Sequence, residues 1–175
     1  MTKDVFDCMR ECHSVRSFQP DPIPDATLGR ILEAASWAPS AGNLQPWYFY
    51  VVINSELKHR LAEAAFEQQQ IEAAPVAIVL MADPARSNER YGERGAQLYC
   101  IQDTAAAAQN MLLAAEGLGL GACWVGAFDE RRVQELVEAP PRLRAVAILC
   151  IGYSDEPEDE YKERFSVAEV TKLLH

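Results

Sequence analysis

Basic residues are scarce in this chain: Lys and Arg number 16 against 26 Asp and Glu, a formal charge of −10. A field of that sign repels phosphate backbones and anionic lipid heads, which excludes general binding to nucleic acid or to a membrane surface. Any anion bound here must sit in a local basic pocket. Long uninterrupted apolar runs are missing as well. The most apolar stretch, residues 105–120, is flanked or interrupted by Gln102, Asp103, Gln109, Asn110 and Glu116. A membrane span would not carry that many uncompensated polar groups. The opening seven residues, MTKDVFD, have neither the basic start nor the apolar centre of a secretory signal. These absences predict a soluble, cytoplasmic protein.

Paired cysteines are lacking too. The five cysteines, Cys8, Cys12, Cys100, Cys123 and Cys150, are odd in number and scattered, which argues against a disulfide framework. Cys8 and Cys12 would share one helix face, but no two further metal ligands lie near them. The three histidines, His13, His59 and His175, have no neighbours that complete a metal site or a nucleophile–base pair. There is no nucleophile elbow and no phosphate-binding loop of the P-loop kind. The expectation is no metal and no catalytic side chain, with a bound cofactor carrying the hard chemistry.

What is present suits one globular domain spanning residues 1–175. Hydrophobic residues make up 49% of the 175, enough for a substantial core. A short helix is predicted over residues 4–12, then an irregular basic segment ending in Pro20, Pro22 and Pro24. Asp25 is the expected cap of a second helix, with Leu28, Ile31, Leu32 and Ala35 at helical spacing, stopping near Trp37 before Pro39. Residues 47–53 read as a strand, and 55–69 as a helix capped by Ser55. Residues 75–81, PVAIVLM, read as a strand covered on both faces. One long helix of about 22 residues is predicted from 97 to 118, spanning roughly 33 Å. Strands at 121–125 and 145–151 bracket a helix at 130–137, and a last helix is expected at 167–174. Alternating helices and buried strands of this kind imply α+β layers around one sheet. The long helix carries Ala105, Ala106, Ala107 and Ala108, which let another backbone come close. It packs either inside one subunit or against its twin across a two-fold axis.

Several segments have the composition of a ligand site. His13-Ser14-Val15-Arg16-Ser17-Phe18 sets a hydroxyl and a guanidinium two residues apart, so both face the same way in extended chain. Pro39-Ser40-Ala41-Gly42-Asn43-Leu44-Gln45-Pro46-Trp47 places small residues and amides directly before a strand, where backbone can approach a flat ligand. The glycines at 117, 119 and 121 follow a helix and precede a strand, the reverse of a dinucleotide fingerprint, which excludes a Rossmann reading. Gly126 and Ala127, at the end of that strand, are candidates to offer bare backbone N–H groups. Lys162-Glu163-Arg164 puts two cations on one side of an extended tail, a local pocket for phosphate.

Taken in this order, these blocks resemble the FMN-dependent nitroreductase family from about Met9 to Arg164. H-S-V-R-S-F is similar to its flavin-binding loop, and P-S-A-G-N-L-Q-P-W to its most specific signature. A-P-V-A-I-V-L, the Y-C-I-Q-D-T-A-A-A-A-Q-N-M-L-L-A-A helix, G-L-G-L-G-A-C-W-V-G-A-F and K-E-R follow in the family order. The resemblance implies an α/β/α three-layer sandwich with a central mixed sheet of four or five strands. It implies an intertwined homodimer whose core is the long helix and whose interface holds FMN. His13, Ser14 and Arg16 would then contact the cofactor. Pro39, Ser40, Ala41, Asn43 and Gln45 would reach the flavin bound mainly by the other subunit. Gln70 would add a polar contact, Gly126 and Ala127 would line the flavin N5 side, and Lys162 and Arg164 would hold the phosphate. Electrons would pass from NADH or NADPH to a small-molecule acceptor: a nitro compound, a quinone or free flavin. One position departs from the pattern: Cys12 stands where many members carry Arg.

Two other functions remain on the sequence. One is specialised flavin chemistry, dehalogenation or flavin breakdown, whose lid would fall on residues 83–95, with Arg86, Arg90 and Arg94 four apart. The same stretch also reads as a solvated helix face. The other is a flavin-binding module without turnover.

Overall fold

The computed structural model describes residues 3–156 and 163–174. Its centre is a four-stranded sheet of β1 (Trp47–Val52), β2 (Val76–Ala82), β3 (Gly121–Val125) and β4 (Arg144–Gly152), in the order β1-β2-β4-β3. All three strand pairings are antiparallel. The parallel part of the expected mixed sheet is confined, among the described residues, to a single bridge between Ser14 and Ala122. The reason lies in the connections. After β1 the chain runs through α3 (Ser55–Ala64) and α4 (Gln70–Ala73), and this pair turns it back to enter β2 in the opposite sense.

Strand β2 organises the layers. All seven of its residues are buried, as the apolar run predicts. Val76, Ile78 and Leu80 point to one side, where α2 (Asp25–Ser36) and α6 (Cys100–Gly117) pack. Ala77, Val79 and Met81 point to the other, beneath α3, α4 and α7 (Glu130–Leu136). The period-two alternation thus feeds two separate cores from one strand, giving the helix–sheet–helix sandwich. α6 touches all four strands and also α2, so it crosses the sheet obliquely. No helix among the described residues is long and apolar enough to cross a membrane.

Element ends show where local chemistry differs from the expectation. Pro24, not Asp25, is the N-cap of α2; its φ of −58° is already close to helical, and Asp25 becomes a first-turn acid that suits the helix dipole. Asn54 rather than Ser55 caps α3, accepting the Leu57 N–H at 2.8 Å. That helix ends at Ala64, because Phe66 and Glu67 take positive φ values of 58° and 63°. Residues 83–95, given no element of their own beyond a possible helix face, form α5 (Pro84–Arg94), capped by Asp83. A π-helical turn, Gly95–Tyr99, joins it to α6, so the helical path begins before residue 97. The last helix, α8, is only Val167–Val170, closed by a Ser166–Glu169 capping box. α1 (Val5–Glu11) forms as expected, with Asp4 accepting the Asp7 N–H at 2.9 Å.

The basic segment after α1 is less irregular than its prolines suggest. Val15 N donates to Ala122 O at 3.0 Å, and Gln19 N donates to Tyr153 O at 2.9 Å, so the segment runs along the outer edge of β3 and the end of β4. Gly121 makes this possible: a Cβ there would lie 2.7 Å from Val15 Cγ2. The core supports a direct test. Ile78 is fully buried in the layer against α2 and α6, and Ile78→Ala is expected to cost about 2–5 kcal/mol, read from the midpoint of urea unfolding at unchanged m-value.

Candidate functional site

Along the outer edge of β3, α1, the 12–14 segment, α6 and the tail enclose a cavity of about 300 Å³. His13, Ser14 and Arg164 line it together with Cys12, Gln109 and Trp124. His13 is held by a 2.8 Å bond from Nδ1 to the Glu11 carbonyl, which fixes the proton on Nδ1. Its Nε2 is buried without a partner. A buried polar atom left in that state on a cavity wall is what a ligand site provides.

Behind this wall, Arg16, the Ser14 hydroxyl and the Gln70 amide lie near enough to Cys123 to favour its thiolate. Burial nonetheless raises the Cys123 thiol above its ordinary range, so it stays neutral. Gln70 Nε2 donates to Gln68 Oε1 at 3.1 Å, and Gln68 Nε2 donates to Ala127 O at 2.7 Å. The Glu156 carboxylate accepts the N–H groups of Arg16 and Ser17 at 2.7 and 2.8 Å, fixing the backbone on which Arg16 projects. A hydrogen-bonded chain therefore links Gln70 to Ala127 through Gln68, with Ser14 and Arg16 near Cys123 and Gly126 exposed at the strand's end. Cys12 is a neutral thiol, raised by burial and then by the Glu116 charge.

The second segment lies elsewhere. Ala41 N donates to both Asp103 carboxylate oxygens at 3.1 Å, which ties the loop to the first turn of α6. Ser40 Oγ accepts the Gln45 N–H at 3.0 Å, and Gln45 Nε2 donates to Asn43 Oδ1 at 3.2 Å. Gly42, Asn43 and Gln45 have φ of 57°, 57° and 49°. For the two non-glycine residues such conformations cost about 1–3 kcal/mol each and persist only where their surroundings over-determine them. Those surroundings include Arg86 and Arg90 of α5, whose guanidiniums reach Gln45 O at 2.7 Å and Gly42 O at 3.2 Å. Pro39 is exposed at the loop's start.

The two clusters sit on opposite edges of the sheet. β2 and β4 lie between β1, which follows the loop, and β3, which flanks the cavity; three strand spacings amount to about 14 Å. Along α6 the separation is similar, since Asp103 holds the loop and Leu112 lines the cavity nine residues on, also about 14 Å. The structure thus brings His13, Ser14, Arg16, Gln70, Gly126, Ala127 and Arg164 to one edge, and Pro39, Ser40, Ala41, Asn43 and Gln45 to the other. Lys162 lies outside the described residues. Sequence reasoning missed Asp103, read only as a polar interruption of an Ala-rich helix, and the loop contacts of Arg86 and Arg90. A lone acid in the first turn of a buried helix was the available signal for Asp103.

Against this geometry, the comparisons with known proteins agree. Residues 9–74 and 66–153 match the Nitroreductase family. The chain belongs to the nitroreductase family. An Archaeoglobus fulgidus relative, provisionally named NADH dehydrogenase/NAD(P)H nitroreductase, is 36% identical over 171 residues, covering 90% of this chain and 95% of that one. A 5,6-dimethylbenzimidazole synthase of Rhodobacter capsulatus is 30% identical over 178 residues, 89% of this chain and 86% of its own. Among solved structures, the Vibrio harveyi NADPH:FMN oxidoreductase complexed with NAD+ superposes with a TM-score of 0.89 at 27% identity, covering 99% of this chain and 78% of that chain. The α+β fold expected from the resemblance is therefore the nitroreductase fold, here with four antiparallel strands.

Asp103 gives the site in this family member a pH dependence. Burial raises its carboxyl above the usual carboxylate range, only partly offset by the Ala41 N–H. A raised acid favours the folded state while protonated, so its contribution is lost as pH rises through the raised value. Asp103→Asn keeps an oxygen for the Ala41 N–H without the charge. The expected result is a higher Tm than the parent at pH 7, with the difference shrinking toward pH 4; a parallel pair of Tm–pH curves would show that Asp103 does not titrate this way.

Proposed function

We propose that the chain acts as a homodimer that binds FMN at its interface, as one cytoplasmic flavin-binding unit over residues 1–175. The β3-edge cluster of one protomer holds the cofactor, and the 39–46 loop of its twin closes over it. As a member of the nitroreductase family, the chain is an NAD(P)H-dependent flavin oxidoreductase. The separation of the two clusters supports the interface reading. Residues assigned by resemblance to one flavin stand on opposite sheet edges, and a two-fold related copy returns one loop to the other's cavity. Exposed apolar side chains support it too: Val5, Phe6 and Met9 on α1, and Trp37 after α2, are all more than half exposed. The tail adds Phe165, Val167, Val170, Leu173 and Leu174, each at least 69% exposed. Apolar surface on this scale is a liability for a monomer and suits a partner.

The residues fit the phosphate end of a flavin. Arg164 brings a guanidinium to the cavity and Ser14 a hydroxyl, while His13 turns its buried Nε2 to the wall. Lys162 is assigned to the same phosphate by sequence. Arg16 and Gln70 are placed for the ring's polar edge, with Gly126 and Ala127 beside them. From the twin, Asn43 and Gln45 offer amides across a loop whose small residues let it lie close. Bound flavin supplies two-electron chemistry between a reduced nicotinamide and a nitro, quinone or flavin acceptor. The protein's own part is to bind, orient and exclude water, so no side-chain acid or base is assigned. The 30% identity to a 5,6-dimethylbenzimidazole synthase favours specialised flavin chemistry as the second reading; destruction of the flavin chromophore during aerobic turnover would identify it.

Complementation tests the shared site. Arg16→Ala homodimers and Asn43→Ala/Gln45→Ala homodimers are each expected to lose at least nine-tenths of NADH:quinone activity. Heterodimers carrying both lesions on separate chains regain one intact site of two, and with it about half the parental rate. Heterodimers no better than the homodimers would place the whole site within one chain. Separately, Lys162→Ala/Arg164→Ala is expected to weaken FMN binding by at least tenfold, about 1.4 kcal/mol, measured by quenching of flavin fluorescence.

A further inference from the structure

We propose that Arg86 and Arg90 of α5 are positioning residues that clamp the strained 40–45 loop in its flavin-facing shape, making α5 a fixed brace and not a moving lid. This inference rests on the reading of that loop as the segment meeting the flavin.

Asn43 and Gln45 sit at positive φ beside Gly42, where only the glycine is unstrained, so contacts outside the loop help to hold this shape. Within it, Asn43 N donates to Ser40 O at 2.9 Å and Leu44 N to Ala41 O at 3.2 Å, and the Ser40 hydroxyl and the Asn43 side chain each bond Gln45. External anchors complete the hold. At one end, Asp103 accepts the Ala41 N–H. At the other, Arg86 uses its planar fork twice, donating through Nη1 to Gln45 O at 2.7 Å and through Nη2 to Tyr48 Oη at 2.6 Å. One guanidinium thereby locks the strained residue to the start of β1, and its carbon lies 5.2 Å from the Tyr48 ring centre. Arg90, one helical turn on, donates to Gly42 O. The packing there is tight: a Cβ on Gly42 would lie 2.6 Å from Arg90 Nη1 and 2.5 Å from Tyr91 Oη.

α5 is itself anchored so that it can act as a brace. Asp83, 3% exposed, caps it through Arg86 N at 3.2 Å, and Asp83 N donates to Pro46 O at 2.9 Å. At its far end the chain folds back so closely that a Cβ on Gly95 would lie 2.4 Å from Ser87 O. The periodicity of Arg86, Arg90 and Arg94 thus has two different uses. The first two arginines face the loop, and Arg94 turns to Tyr99 at 3.2 Å.

The test uses purified protein with FMN as the titrant and compares Arg86→Met, Arg86→Lys, Arg86→Met/Arg90→Met, and Arg131→Met as a remote control on α7. Thermal unfolding of each protein confirms that it folds. The expected result is FMN affinity about tenfold weaker for Arg86→Met and roughly a hundredfold weaker for the double variant, with control and parent alike. Arg86→Lys should recover only a small part, because an ammonium cannot span two acceptors held in a fork. The bound flavin's absorption band should also shift in the double variant, a signature that lowered stability alone does not produce. Affinity and spectrum within twofold of the parent in the double variant would overturn the clamp. Asn43→Ala/Gln45→Ala, measured beside them, separates the two readings. If it weakens FMN binding while the arginine variants do not, the clamp alone fails. If neither set affects FMN, the loop is not a flavin segment and both readings fail.

Discussion

A strand with two buried faces must be covered on both, and β2 imposes that requirement on the whole chain. Its seven residues feed one core through Val76, Ile78 and Leu80 and another through Ala77, Val79 and Met81. With β1 on one side and β4 on the other, β2 cannot lie at an edge, so the sheet's edges fall to β1 and β3. Both candidate binding segments then attach to edges, because those are the positions where backbone and polar side chains remain open to a ligand. The fold therefore separates the loop before β1 from the cavity beside β3 by the width of the sheet, and the proposal of a shared site rests on that separation.

α6 has to serve both ends of that arrangement. At its start a carboxylate, Asp103, is buried at a cost in order to hold one backbone N–H of the loop. Further along, Gln109 and Leu112 form part of the cavity wall. Between these points its buried face is mostly small, Thr104, Ala107 and Ala108 with Met111, which lets the helix cross close to the sheet. The alanine run that left two packing readings open in the sequence thus has an intrachain role. Its outward face is also partly exposed, at Ala105, Leu112 and Leu113 among others, which suits contact with a twin as well.

The sequence was legible where pattern decides structure. The run PVAIVLM announced a doubly covered strand, and the four strands fall within a residue or two of their expected ends. Legibility failed where a single backbone angle decides. Phe66 and Glu67 carry no turn chemistry, so nothing local showed that α3 would stop at Ala64. The all-antiparallel sheet was hidden for a related reason, since helical connections are compatible with either sense until the reversal they make is known. Within the site, Gln70 and Ala127 lie far apart in sequence and are joined through Gln68, a link that only tertiary packing reveals. The opposite holds for Arg86 and Arg90: their spacing was plain, but a helical period of four says only that they share a face, not that the face meets a strained loop.

Around the cavity the net charge of −10 is partly offset by Lys3 and Arg164. Glu11 and Glu116 are the nearby acids, and both are bound by Lys3, at 2.6 and 2.5 Å; the same two partners hold its ammonium above the ordinary lysine range. Lys3 thus cancels one of their two charges. Cys12 adds no charge of either sign, because burial keeps its thiol protonated. The wall is left with a guanidinium from Arg164, a hydroxyl from Ser14 and an imidazole nitrogen awaiting a partner on His13. The placement of the wall is fixed by α1 packing on α6 and by the stapling of residues 14–19 along β3 and β4.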